Sequence, residues 1–142
     1  MTDIEPSQPT KPHRKTRADH ASELAEDYVE AIADICESNG LCRAVDLASR
    51  FGVSSVTVNR TIARLVRDGY AQTSPYAPIE LTSEGARLAK ASKKRHEIVY
   101  EFLLSIGVSE PIAMADAEGI EHHVSPETLK RFRHVTLEKS KP

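Results

Sequence analysis

Acidic side chains and a histidine recur at helical spacing in two distant parts of the chain. Glu118, Glu121 and His122 stand at positions i, i+3 and i+4, so on a helix they share one face. Far upstream, Asp27 and Glu30 stand at i and i+3 and also share a face. Carboxylate-rich ligand sets with an imidazole suit a hard or borderline ion such as Mn(II). The spacing therefore predicts two halves of a divalent-metal site, which the fold must bring together.

The segment between these halves has the pattern of a helix-turn-helix. A short apolar-periodic helix over residues 43–51 precedes Gly52, which favours a tight turn. Ser54 is a good N-cap for a second helix over residues 55–68. The side chains expected to point inward are Val45, Leu47 and Ala48 from the first helix and Val58, Ile62, Leu65 and Val66 from the second.

The polar face of the second helix could contact DNA. Its candidate residues are Ser54, Ser55, Thr57, Asn59, Arg60 and Arg64. Hydroxyl groups near a helix N-terminus can bind phosphates, and Asn and Arg can form paired hydrogen bonds with adenine and guanine. A generic helical hairpin with a solvated face is the alternative interpretation. A metal site that includes residues on both sides of this element predicts a metal-sensing transcription factor.

The flanking segments complete a mainly α-helical fold with a small β-hairpin wing. We expect a first helix over residues 21–39, strands over 70–73 and 78–81, and a long helix over 83–106. Ser109 should cap a helix that contains residues 118–123, and Ser125 should cap a last helix that begins at Pro126. Residues 21–82 would form a winged helix-turn-helix DNA-binding domain. Residues 83–142 would form a helical metal-binding and dimerisation domain, and residues 1–20 a flexible basic arm.

Composition excludes several classes of protein. The 142 residues carry a net charge of −2 and contain no apolar run long enough to span a bilayer, so we expect a cytoplasmic protein without membrane contact. The N-terminal residues lack the apolar core of a secretory signal. Two cysteines, Cys36 and Cys42, are too few for a disulfide framework and are expected to be buried or half-buried thiols.

These elements together resemble the DtxR/MntR family of metal-dependent repressors, and specifically its manganese-sensing branch. The resemblance is carried by AEDYVEAI, VDLASRFGVSSVTVNRTIARLVRDGY, LTSEGARLA, RHEIVYEFLLSIGV and DAEGIEHHVSPETL. The metal ligands that it implies are Asp27, Glu30, His96, Glu118, Glu121 and His122. It further implies one or two Mn(II) ions per subunit, a homodimer, and a near-palindromic double-stranded operator, with no small organic ligand.

The choice of metal rests on the residue at position 118. In the iron-sensing branch a cysteine commonly stands there, whereas this chain has Glu118, whose harder oxygen donor favours Mn(II). An iron- or zinc-responsive regulator on the same scaffold is one alternative, and a metal-independent winged-helix regulator is another. A metalloenzyme is not expected, because His96-Glu97 begins like HExxH but Tyr100 stands where the second histidine belongs.

Overall fold

The structure is a computed structural model that describes residues 11–142, with side chains described from His20 onward. The elements in this part of the chain are α1 (Lys11–Asn39), α2 (Ala44–Phe51), α3 (Ser55–Arg67), β1 (Ala71–Gln72), β2 (Glu80–Leu81), α4 (Ser83–Ser105), α5 (Glu110–Ile120) and α6 (Pro126–Lys139). None of these helices is both long and apolar enough to cross a membrane. The mainly α-helical fold with one small hairpin agrees with the sequence prediction.

The first helix begins earlier than the sequence predicted. It starts at Lys11 and not at residue 21, so the second half of the predicted flexible arm belongs to α1. Pro12 falls in the first turn of the helix, where its missing N–H leaves no hydrogen bond unmade. Neither proline nor glycine interrupts residues 13–39. Residues 1–10 of the predicted arm lie outside the described residues.

Helices α2 and α3 form the predicted helix-turn-helix. Gly52 ends α2 in the left-handed conformation, with φ of 64°, which a residue without a Cβ adopts at little cost. Ser54 caps α3, since its hydroxyl accepts a hydrogen bond from the Thr57 N–H at 3.2 Å. Leu47 of α2 and Val58 of α3 are fully buried between the helices.

Two side chains that were predicted to point inward are exposed. Val45 is 66 % exposed and Val66 is 40 % exposed, so both predictions were wrong. In α3 the buried stripe passes through Thr61 instead of Val66. The Thr61 hydroxyl donates to the Thr57 carbonyl at 3.2 Å, which satisfies its polar group inside the core. The packing of α3 against its neighbours therefore decides which of its side chains are buried. The hydrophobicity of a residue alone does not predict its burial.

The hairpin is shorter than predicted but has the expected antiparallel pairing. Ala71 pairs with Leu81, and an isolated bridge joins Cys42 to Ile79, which ties the hairpin to the segment before α2. Thr82 caps α4 by accepting from the Gly85 N–H at 3.1 Å. The Tyr70 carbonyl oxygen occupies the space in which a Cβ at residue 85 would lie. Only glycine therefore allows α4 to begin this close to the hairpin.

Two apolar clusters share α4. The first gathers buried residues of α1, α2, α3 and the hairpin, and it includes Ala89 of α4. The second gathers residues of α5 and α6 around Val99 and Leu103 of α4. One continuous helix thus connects the helix-turn-helix to the C-terminal helices. A side-chain cluster or a ligand between α1 and the C-terminal helices would therefore lie next to α4.

Helix α5 ends sooner than the sequence predicted, and this changes how its ligand candidates are presented. It stops at Ile120, so Glu121, His122 and His123 lie in the turn that follows. Glu121 retains right-handed helical angles, with φ of −55° and ψ of −31°, and so stays in phase with Glu118. Ser109 occupies the N-cap position but its side chain makes no capping hydrogen bond.

The start of the last helix follows the prediction. The Ser125 hydroxyl accepts from the Thr128 N–H at 3.1 Å, and Pro126 is the first helical residue. The capped start fixes where the preceding turn must end. That turn carries Glu121 and His122, so the Ser125-Pro126 signal indirectly limits the position of the ligand candidates.

Candidate metal centre and DNA-contacting surface

An acidic cleft of about 360 Å³ lies between α1 and the end of α5. Four of the predicted ligands line it, namely Asp27, Glu30, Glu118 and Glu121. Asp27 and Glu30 project from α1, whereas Glu118 is on the last turn of α5 and is exposed. The fold therefore brings the two halves predicted from the sequence to one place. Glu118 has direct access to solvent there.

The side chain of His122 contacts both halves of the cluster and is buried, with 2 % of its surface exposed. Its Nε2 atom lies 3.1 Å from Asp27 Oδ1 and 3.4 Å from Glu121 Oε1. Its Nδ1 atom lies 2.6 Å from Glu26 Oε2. Oxygen atoms of three carboxylates thus lie beside the two ring nitrogens. This arrangement favours positive charge on the ring or next to it.

His96 joins the cluster from α4. Its Nδ1 atom lies 3.3 Å from Glu121 Oε2, and its side chain is 17 % exposed. Glu121 is therefore shared between two imidazoles, one on α4 and one in its own turn. Its carboxylate is almost completely buried, and its Oε2 atom makes no hydrogen bond within the described part of the chain. A buried carboxylate oxygen without a donor is costly unless a cation or proton balances it.

Burial and neighbouring charges shift the titration of the cluster. Burial raises the pKa of Glu121, although the charge of His122 opposes this effect. Burial alone would lower the pKa of His122, but hydrogen bonds to Asp27 and Glu26 raise it above its usual value. Burial also raises the pKa of Glu30, although the Ser92 hydroxyl opposes this by donating to Glu30 Oε2 at 3.0 Å. All three shifts favour the protonated forms of these groups.

Arg95 fixes the turn that carries Glu121 and His122. Its Nε donates to the Glu121 carbonyl at 2.9 Å, and its Nη2 donates to the Val124 carbonyl at 3.0 Å. Both acceptors are carbonyls just beyond the end of α5, where no further helical turn supplies a donor. The guanidinium group therefore holds the turn against α4, next to His96.

The donor set fits a divalent ion of the manganese type. Carboxylate oxygens and two imidazole nitrogens converge from α1, α4, α5 and the α5–α6 turn, and these six donors include no thiolate. Carboxylates suit hard ions, and imidazole suits borderline transition ions. The buried Glu121 Oε2 atom, which accepts no hydrogen bond from the described residues, is a position at which a cation would relieve an unfavourable arrangement. All six predicted ligands belong to this one cluster.

Two further carboxylates were not singled out from the sequence. Glu26 contacts His122 directly, and Glu23 lies 3.5 Å from the Nε2 atom of His123. One donor atom each from Glu23, Asp27 and His122 lie within 4.8 Å of one another. The signal was present, because Glu23 precedes Asp27 by four residues and Glu26 precedes Glu30 by four.

The candidate DNA-contacting residues lie on one accessible surface. All six are exposed, on the turn before α3 or on α3 itself: Ser54, Ser55, Thr57, Asn59, Arg60 and Arg64. The Ser54 hydroxyl is engaged in capping and also lies 3.1 Å from the Thr57 hydroxyl. The same surface includes Val56, which is 66 % exposed and was not predicted as a contact. An apolar side chain there could meet the methyl group of thymine.

Two protein families of known role match most of the chain. Residues 20–78 match the iron dependent repressor, N-terminal DNA binding domain. Residues 82–137 match the iron dependent repressor, metal binding and dimerisation domain. The chain belongs to the DtxR/MntR family of metal-dependent repressors.

Individual relatives are similar over most of this chain. A transcriptional regulator MntR of Escherichia coli O6:H1 is 49 % identical over 123 residues, which are 87 % of this chain and 79 % of that protein. A transcriptional regulator MntR of Salmonella typhimurium is 50 % identical over 123 residues, which are 87 % of this chain and 78 % of that protein.

A solved structure has the same fold. It is a manganese-dependent transcriptional repressor in complex with manganese, 30 % identical in sequence, with a TM-score of 0.71. The match covers 79 % of this chain and 52 % of that one, so this chain spans about half the length of the solved relative.

Proposed function

We propose that this chain is a manganese-responsive transcriptional repressor that binds operator DNA when its acidic cluster holds Mn(II). The observation that carries the proposal is the cluster itself, in which the buried Glu121 carboxylate contacts both His96 and His122 while its Oε2 atom accepts no hydrogen bond from the described residues. The names of the relatives, which include a manganese-dependent repressor, support the choice of metal. Iron or zinc is the alternative, and the four carboxylates of the proposed ligand set, Glu118 among them, favour the harder Mn(II) ion.

The residues that would hold the metal are Asp27, Glu30, His96, Glu118, Glu121 and His122. Six donor side chains are more than one ion requires once water is counted, so one or two ions per subunit are expected. When bound, Mn(II) supplies positive charge that balances carboxylates drawn from separate elements. The carboxylates that it would balance belong to α1, α5 and the α5–α6 turn.

Contacts between α1 and α2 can pass the state of the cluster to the helix-turn-helix. Tyr28, between the proposed ligands on α1, stacks on Phe51 of α2 with ring centroids 4.5 Å apart. Arg50, also on α2, lies 3.0 Å from Asp34 of α1 and lines the acidic cleft. Fixing α1 against the α5–α6 turn would therefore also fix α2 and α3. Coupling of this kind is typically worth about 1–3 kcal/mol.

DNA binding would use two copies of α3. Exposed apolar side chains on the C-terminal helices, among them Ile112, Met114 and Leu137, offer a surface that pairing of two copies would cover. In a two-fold dimer the two recognition helices would match half-sites about one helical turn, or a multiple of it, apart. We assign residues 21–82 to DNA binding and 83–142 to metal binding and dimerisation. The target would be chromosomal DNA in the cytoplasm, with no catalytic step and no small organic ligand.

A direct test measures manganese binding to the wild type and to Glu118→Ala. The six-line electron paramagnetic resonance signal of free Mn(II) disappears on binding, so a titration reports affinity and the number of ions. We expect saturable binding by the wild type and much weaker binding by the variant, whose exposed position leaves the fold intact. Unchanged binding by Glu118→Ala would remove this residue from the ligand set. Absence of binding to the wild type would overturn the proposed function.

A further inference from the structure

The contact between Glu26 and His122 has a geometry that positions a metal-binding imidazole. Glu26 Oε2 lies 2.6 Å from His122 Nδ1, and 15 % of the Glu26 side chain and 2 % of the His122 side chain are exposed. A carboxylate only accepts hydrogen bonds, so Nδ1 donates to Glu26, and a metal ion that replaced the hydrogen on Nε2 would leave this bond in place. The other ring nitrogen, Nε2, then faces Asp27 Oδ1 at 3.1 Å and Glu121 Oε1 at 3.4 Å.

Helix geometry explains why neighbouring residues contact opposite nitrogens of one ring. Successive side chains on a helix are about 100° apart, because the repeat is 3.6 residues per turn. Asp27 lines the acidic cleft and approaches Nε2 of His122, whereas Glu26, one residue earlier, approaches Nδ1. Glu26 therefore contacts the ring nitrogen opposite the one that faces Asp27 and Glu121. It is placed to orient the imidazole and not to share the cleft with the other donors.

We propose that Glu26 is a positioning residue, which fixes the His122 ring so that Nε2 is the atom presented to a divalent cation between Asp27 and Glu121. Metal-binding histidines commonly donate their second N–H to a carboxylate, which selects the tautomer and strengthens the ring as a ligand. This inference rests on the proposed metal-binding function. It assigns to Glu26 a role different from that of the six proposed ligands.

A purely structural ion pair is the competing explanation for this contact. Glu26 belongs to α1 and His122 to the α5–α6 turn, so their contact could simply hold these elements together. In that case, loss of the carboxylate would lower the stability of the metal-free protein. The affinity of the folded protein for metal, and the nitrogen that binds it, would stay the same. The two explanations therefore differ in the metal affinity of the folded protein and in the nitrogen of His122 that binds the ion.

The experiment compares Glu26→Gln, Glu26→Leu and the control Glu37→Gln in the full chain. Glu37 is an exposed carboxylate on the same helix, so its replacement changes net charge equally and touches no part of the cluster. Mn(II) affinity is measured by electron paramagnetic resonance. Nitrogen chemical shifts of the histidine rings are measured with diamagnetic Zn(II) as the probe ion, and they report which nitrogen of His122 binds.

We expect roughly 10–100-fold weaker Mn(II) binding for Glu26→Leu, the range found when such partners of metal ligands are lost. Glu26→Gln should bind with intermediate affinity, because its amide oxygen still accepts the Nδ1 hydrogen, and Glu37→Gln should match the wild type. Zn(II) should bind Nε2 of His122 in the wild type. In Glu26→Leu it should bind a mixture of Nε2 and Nδ1.

Two results would overturn the inference. Wild-type Mn(II) affinity in both Glu26 variants, with Nε2 still the binding atom, would show that the contact is structural only. Binding through Nδ1 in the wild type would reverse the proposed orientation. If Glu26→Leu does not fold, the near-isosteric Glu26→Gln still decides the affinity question. Failure of the wild type to bind Mn(II) would remove the proposed function together with this inference.

Discussion

Replacing Glu121 with glutamine tests the cluster at its most buried carboxylate. The substitution keeps the size of the side chain and removes its charge. In the wild type this carboxylate contacts His96 at 3.3 Å and His122 at 3.4 Å, and its Oε2 atom has no hydrogen-bond donor among the described residues. If a cation binds here, a neutral amide should weaken its binding strongly. The fold should tolerate the change, because no large cavity is created.

The magnitude follows from the linkage between binding and unfolding. At a Mn(II) concentration one hundred times Kd, the wild type gains about 2.7 kcal/mol of stability. Even changes to groups that only support a ligand weaken metal binding by up to about 100-fold, and Glu121 is a proposed ligand itself. With binding 100-fold weaker, the same concentration contributes only about 0.4 kcal/mol. At roughly 4 °C per kcal/mol for a chain of this length, Tm would rise by about 10 °C and about 2 °C respectively.

The assay is thermal unfolding with Mn(II) and with a chelator, on the wild type, Glu121→Gln and Glu127→Gln. Glu127 is an exposed carboxylate in the first turn of α6 and serves as the control for charge. Metal-free melting temperatures show whether each variant folds. An equal manganese-dependent shift for the wild type and Glu121→Gln would refute the account of this residue. An equally reduced shift for Glu127→Gln would show that net charge alone is responsible.

Three further predictions concern packing, DNA contact and thiol burial. Gly85→Ala should lower the free energy of unfolding by more than about 2 kcal/mol, because the Tyr70 carbonyl lies where the new Cβ would be. Gly119→Ala, in open space on a helix, should instead raise the free energy of unfolding by up to about 1 kcal/mol. Equal denaturation midpoints for the two variants would contradict this reasoning. Arg60→Ala, on the exposed face of α3, should weaken operator binding by about 1–3 kcal/mol in an anisotropy titration. Arg67→Ala, whose side chain is paired with the adjacent aspartate, should leave binding nearly unchanged, and equal losses would argue against the assigned surface. Burial raises the pKa of Cys42 to about 12, so Cys42 should resist a thiol reagent at pH 8 until the protein unfolds; rapid labelling of the native protein would contradict its burial.

Periodic and capped features of the sequence predicted most of the fold. The Gly52 turn, the Ser54 cap and the Ser125-Pro126 start are local signals, since each depends on the conformation of a few adjacent residues. Where a helix begins or ends without such a signal, the prediction failed. The start of α1 at Lys11 and the end of α5 at Ile120 were both misplaced. Arg95, which is distant in sequence, supplies donors beyond the end of α5.

The candidate site was predictable in part, because its ligand types recur at helical spacing. The contacts of His122 with Glu121 and Asp27, which line one cleft, agree with that pattern. The positions of Glu26 around the ring and of Ser92 beside Glu30 depend on how α1 packs against α4 and the turn. Residue spacing along one helix cannot predict contacts that depend on how separate helices pack. Whether the assembled side chains bind metal remains a prediction.

Fluorescence anisotropy of labelled operator DNA, with and without Mn(II), tests the central claim most directly. The operator would be selected from a random-sequence library in the presence of Mn(II), and binding would be measured at fixed ionic strength, because salt alone changes DNA affinity. Fe(II) and Zn(II) serve as comparison ions. The account predicts tight binding with Mn(II) and weak binding without metal. Equal binding with and without Mn(II) would contradict it and would leave a winged-helix regulator whose acidic cluster is structural.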